Sequence, residues 1–170
     1  METQSPLLPK VDHKHIGIQA LRVLEANNIS EPVVDVGAIA KQVGYEIVEK
    51  VMPPQFSDVA GFHDQDTKKI YLNKNDPPAR KLFTVAHELG HIFLEHPNYS
   101  VLYRLPKKDT KYSLEESQAN SFAAQLLMPD FMVRKYLQKY SLSRSDYETM
   151  ADIFGVPLSA MRHTLDYLKV

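Results

Sequence analysis

The chain contains no cysteine. Disulfides and thiolate metal sites are therefore excluded, and any transition metal must be held by histidine and carboxylate. Charge of one sign is lacking too: 20 Lys and Arg stand against 21 Asp and Glu, a formal net charge of -1. That balance gives no electrostatic basis for nucleic acid or an anionic membrane as the main partner. No apolar run is long enough to span a bilayer, and Met1 to Asp12 has no apolar core of signal-peptide type. A cytoplasmic protein is the expectation. Internal repeats and low-complexity tracts are absent as well. What is present is 170 residues, 44% hydrophobic and 24% charged, which suits one globular domain with a real core.

Periodicity and breakers divide the chain into segments. Residues 1–12 read as a flexible lead-in, with two prolines and no apolar pattern. Helical spacing predicts a first helix from about His15 to Asn27, through Ile16, Ala20, Val23 and Leu24. Asp35 is placed to cap a second, short helix closed by Gly44. Tyr45 to Val51 reads as a strand, and Val59 to His63 with Lys69 to Leu72 as a hairpin about Asp64-Gln65-Asp66-Thr67. A small, mainly antiparallel sheet is thus expected ahead of a helix from Ala79 to Glu95, an α+β order. A long connection from His96 to Tyr112 follows, then a helix capped by Ser113 and stopped by Pro129. Asp130 is placed to cap the next helix, to about Tyr140. Residues 13–140 form the expected main domain. Residues 141–170 read as a helical pair, Ser145 to Phe154 and Pro157 to Lys169, packed on it.

Chemistry concentrates at His87-Glu88-Leu89-Gly90-His91, an HExxH signature on a helix apolar on most sides. Two histidines four residues apart differ by about 40° around a helix, so both imidazoles leave one face and can bind one ion. Glu88 projects to the side, within reach of a water at the ion's open position. Three polar groups on a buried helix need partners, and a cation supplies one.

A catalytic zinc site takes a third protein ligand. His96 fits poorly, since a position five residues beyond His91 is turned roughly 140° away on a continuing helix. The HExxHxxGxxH pattern also fails, because Leu94 and Pro97 stand at its glycine and third histidine. His63 and Glu115 remain open as alternatives. Glu116 has two readings of comparable weight. It borders a stripe of small residues (Ala119, Ala123, Ala124) suited to packing on Gly90, which would aim its carboxylate into a helix contact. It also completes a capping box with Ser113, in which it would bond to backbone. Asn120, one turn further on, is a candidate to hold a histidine's second nitrogen.

The block His87 to His91, followed by Glu116-Ser117-Gln118-Ala119-Asn120-Ser121-Phe122-Ala123-Ala124-Gln125-Leu126-Leu127-Met128-Pro129, resembles the ImmA/IrrE family of zinc metallopeptidases. The likeness extends less sharply from about Val34 to Leu168. It implies a minimal, gluzincin-like zincin domain, one zinc ion per chain on His87, His91 and Glu116, and Glu88 as the catalytic glutamate. By the same resemblance the substrate is a protein, a helix-turn-helix transcriptional repressor of a mobile element or stress response. Two departures stand out. Many members have glutamate where Gln118 stands, and the short start leaves no room for the N-terminal helix-turn-helix domain that members often carry.

Two other functions are weighed against a zinc endopeptidase. One is a zinc-bearing regulatory protein without turnover, which would have no use for Glu88. The other is DNA binding through the last two helices, against which Asp146, Glu148, Asp152 and Asp166 offset Arg144, Arg162 and Lys169. Neither direct nucleic-acid contact nor a membrane is expected. Tyr99, Tyr103, Tyr112 and His63 are candidate oxyanion donors, and the 96–112 connection is the expected gate or docking loop.

Overall fold

The structure, a computed structural model, describes residues 10–97 and 110–170, with side chains from residue 114 onward in the second stretch. Two aspartates start the first helices. The Asp12 carboxylate accepts from the His15 amide and opens α1 (His13–Ala26), and Asp35 accepts from Ala38 and opens α2 (Val36–Gln42), each at 2.9 Å. Each satisfies an amide the helix start would leave bare. Gly44, at φ 85°, then turns the chain into β1 (Glu46–Lys50).

The sheet has three strands in the order β1, β3, β2, where β2 is Gly61–Asp64 and β3 is Lys69–Asn73. The hairpin is antiparallel as expected, with His63 opposite Ile70, and Asp64 organises its turn by accepting from the Asp66 and Thr67 amides. β1 instead pairs with β3 in parallel, Ile47 opposite Ile70, so the sheet is mixed rather than mainly antiparallel. Burial accounts for the order. β3 carries the fully covered Ile70 and Leu72 and takes the centre, while β1, with exposed Glu46, Glu49 and Lys50, goes to a charged edge.

Pro78 opens α3 (Pro78–Phe93), which buries Val85, Ala86, Glu88, Leu89 and His91. The next helix, α4, spans Thr110–Leu127 and so begins before Ser113. Ser113 is inside that helix and cannot cap it, which removes the capping-box role for Glu116. α3 and α4 meet where they are thinnest. A Cβ on Gly90 would stand 3.0 Å from the Cα and carbonyl oxygen of Ala119. Only glycine permits that approach.

α5 is Asp130–Lys139, where Asp130 is the first helical residue and pairs with Arg134 rather than capping. α6 (Tyr147–Phe154) ends at Gly155 in the left-handed region, φ 65°, and α7 (Leu158–Leu168) closes the chain. Met150, Phe154, Met161 and Leu165 join Leu24, Leu89 and Phe122 in one buried cluster. Across the terminal pair, Arg144 meets Asp166 at 3.3 Å. Among the described residues no helix is long and apolar enough to cross a membrane.

Candidate metal centre

His87 and His91 leave α3 one turn apart, and their Nε2 atoms lie 3.1 Å from each other. Glu116 reaches across from α4, with one oxygen 3.2 Å from His87 Nε2 and the other 3.1 Å from His91 Nε2. Such a knot of acceptors suits a cation. Tetrahedral zinc with bonds of about 2.0–2.1 Å sets its ligand atoms roughly 3.3 Å apart, and these three residues come close to that spacing unaided. They also form a group whose ligand atoms all fall within 4.8 Å of one another. The donor set, two imidazoles and a carboxylate, is that of a catalytic site with a position left open.

The electrostatics agree with the geometry. Burial alone would raise the Glu116 carboxyl, but in the metal-free protein the adjoining imidazoles of His87 and His91, whose protonated forms donate to it, outweigh burial and hold the group far below the ordinary carboxylate range. Burial pushes His91 down, partly offset by its bond to Glu116, and the ring is thereby biased toward the neutral form that binds metal. His96 is likewise pushed down, chiefly by burial.

Asn120 stands where the helical spacing put it. Its Oδ1 lies 2.9 Å from His87 Nδ1, so that nitrogen donates and Nε2 is left to face the group. Glu88 is 1% exposed, and His63 donates to it from Nδ1 at 2.8 Å. His63, an open alternative for the third ligand, thus meets Glu88 instead of the metal group. Glu115 is buried but also stands outside that group. Sequence reasoning missed a further contact, His96 Nδ1 to His91 Nδ1 at 2.9 Å. Tyr99, Tyr103 and most of the 96–112 connection lie outside the described residues, as does the Tyr112 side chain.

The centre opens on a cleft of about 430 Å³ whose walls include Phe56, Val59 and Gly61 as well as His87, Glu88 and Glu116. Asn73 holds one rim in place, since its buried amide donates to the carbonyls of Ser57 and Val59. Through Phe83, Asn120 and Pro157 the cleft joins a wider groove of about 1010 Å³ whose walls come from α1, α4 and α7.

Comparison with known proteins adds an independent finding. The family model described as the IrrE N-terminal-like domain, peptidase M78, matches residues 40–166. The chain is 37% identical over 83 residues to an uncharacterized immunity region protein 2 of Bacillus phage phi105, covering 46% of this chain and 51% of that one. It is 33% identical over 98 residues to the metallopeptidase ImmA of Bacillus subtilis, covering 56% and 54%. The chain therefore spans about half the length of these relatives. A Mycobacterium tuberculosis transcriptional regulator of solved structure shares the fold, with a TM-score of 0.69 at 17% identity over 88% of this chain and 54% of that one.

Proposed function

The chain belongs to the ImmA/IrrE family of IrrE N-terminal-like peptidases, and from that premise we propose that it is a zinc-dependent endopeptidase acting on a protein substrate. The observation that carries the reading is the meeting of His87, His91 and Glu116 at one point, with the Glu88 carboxylate beside it in the same cleft. His87, His91 and Glu116 would hold the ion. When bound, zinc supplies Lewis acidity, polarising a carbonyl and acidifying water near neutral pH.

The chain's own residues supply the rest. Glu88 is the general base: its carboxylate takes a proton from the water that attacks the scissile carbonyl, then delivers it to the departing amine. His63 holds one Glu88 oxygen and leaves the carboxylate a set orientation. Asn120 keeps His87 turned toward the centre. The rim fixed by Asn73 and the open groove beyond Phe83 favour an extended segment of polypeptide over a folded surface.

For the substrate we propose a helix-turn-helix transcriptional repressor cut at one or few bonds in a linker or tail, in the control of a mobile element or stress response. The family resemblance supports this, as does the immunity-region name of the phage relative. A repressor substrate implies action in the cytoplasm. The test is to incubate zinc-loaded wild type and Glu88→Gln with a co-encoded repressor and read the fragments by mass spectrometry. Wild type should give a small, discrete set, and Glu88→Gln none while retaining its zinc. Repressor left intact while casein is degraded freely, or repressor loss that does not depend on Glu88, overturns the proposal.

A further inference from the structure

We infer that His96 and Gln118 are positioning residues for His91, fixing which of its ring nitrogens carries the proton. The inference rests on the proposed cation at His87, His91 and Glu116, and it concerns groups behind that centre. The amide oxygen of Gln118 can only accept, and it lies 3.0 Å from His96 Nε2. That nitrogen therefore donates. A neutral imidazole has one ring proton, so His96 Nδ1 is left as an acceptor, 2.9 Å from His91 Nδ1. His91 Nδ1 must then donate, and its Nε2 keeps a lone pair directed at the group it shares with Glu116. The chain of contacts has one consistent polarity, from His91 outward to Gln118. Asn120 imposes the same polarity on His87, so both rings present unprotonated Nε2 atoms to the point they share with Glu116.

The backbone shows how His96 reaches this place. α3 ends at Phe93, and Glu95 adopts the left-handed region at φ 54°. The Glu95 amide donates to the Ile92 carbonyl, and the His96 amide to the His91 carbonyl at 2.9 Å. These are the two bonds of a Schellman turn. The turn carries His96 back over the end of the helix until its ring meets His91 edge-on, centroids 5.0 Å apart at 71°. A histidine five residues beyond a ligand, unreachable on a continuing helix, thus becomes the group behind that ligand.

Partners of metal-bound histidines are typically worth 10- to 100-fold in metal affinity. The experiment measures zinc affinity by chelator competition for the full chain and for His96→Phe, His96→Asn and Gln118→Met. Phenylalanine keeps the ring shape but loses the acceptor, and about a 10- to 100-fold weakening is expected. Asparagine returns an acceptor near the position of Nδ1 and should recover most of the affinity. Gln118→Met should weaken zinc in the same direction by less. Nitrogen-15 NMR of zinc-loaded wild type should find the His96 proton on Nε2, a readout that also serves should His96→Phe fail to fold. Wild-type zinc affinity in both His96→Phe and Gln118→Met overturns the inference. So does a proton on His96 Nδ1, or a loss in His96→Phe that asparagine does not mend. Wild type that takes up no zinc overturns the metal centre itself, and the inference with it.

Discussion

Gly90→Ala is the smallest perturbation that reaches the centre through packing alone. The new methyl would stand 3.0 Å from the Cα and oxygen of Ala119 and 3.2 Å from Phe122 Cβ, where ordinary contact begins at 3.4 Å. Two of the three obstacles are backbone atoms, so no rotamer change relieves them. α4 must back away by a few tenths of an ångström, and Glu116, one turn before Asn120 on that helix, moves with it. Overpacking of this kind costs about 1–3 kcal/mol, and the better helix propensity of alanine offsets about 1 kcal/mol of it. The metal-free protein should therefore lose about 0–2 kcal/mol, at about 2–4 °C in melting temperature per kcal/mol for a chain of this size. Zinc binding should suffer as well, because Glu116 leaves its place 3.1–3.2 Å from the imidazole nitrogens. We expect about a tenfold rise in the zinc dissociation constant, the lower end of what disturbing a ligand's support costs. Thermal melts without zinc and chelator competition measure the two effects separately. A Gly90→Ala protein that melts higher than wild type and binds zinc equally well would refute the reasoning.

Other groups give sharp expectations. His63→Phe removes a donor from a carboxylate that is 1% exposed, which should cost about 1–3 kcal/mol of stability. With zinc still bound, kcat for repressor cleavage should fall about 10-fold or more and KM should change little, since general-base assistance is worth about 10²–10⁴-fold; undiminished kcat would leave His63 a packing residue only. Acidification should destabilise the zinc-free protein. Burial holds His91 and His96 below 6.5, so between their folded values and 6.5 the unfolded chain binds more protons and stability rises with pH. Glu116, depressed from 4.5, adds a loss of the same sign at lower pH. Melting temperature should be level above about pH 7.5 and fall from there toward pH 5, and a level profile across that range would contradict the assignment.

The sequence shows some parts of the site more plainly than others, for physical reasons. His87 and His91 were legible because helical spacing alone brings them together, and Asn120 because it lies one turn from Glu116. Glu116 needed the family resemblance, since Ser113 offered a rival cap. That rival fails because the helix begins at Thr110, one turn before Ser113. The roughly 140° that sets His96 apart from His91 holds only on a continuing helix. Its turn depends on a left-handed glutamate, and nothing local announces one where glycine or asparagine is the usual residue. The His63–Glu88 bond joins a strand to a helix across 25 residues, beyond the reach of any periodicity. The parallel β1–β3 pairing was hidden because pattern reading pairs sequence neighbours. The apolar Ile70 and Leu72, set against the charged β1, are the signal that β3 is central.

In the proposed centre one zinc ion sits among His87, His91 and Glu116, with Glu88 beside it and not on it. Anomalous diffraction at the zinc edge from crystals of the zinc-loaded protein tests this directly. One peak per chain is expected, about 2.0–2.2 Å from the Nε2 atoms of His87 and His91 and from a Glu116 oxygen, with Glu88 outside bonding distance and still held by His63. A peak ligated by His63 or Glu115 in place of Glu116, or a centre without zinc while Glu116 turns to other partners, would contradict it.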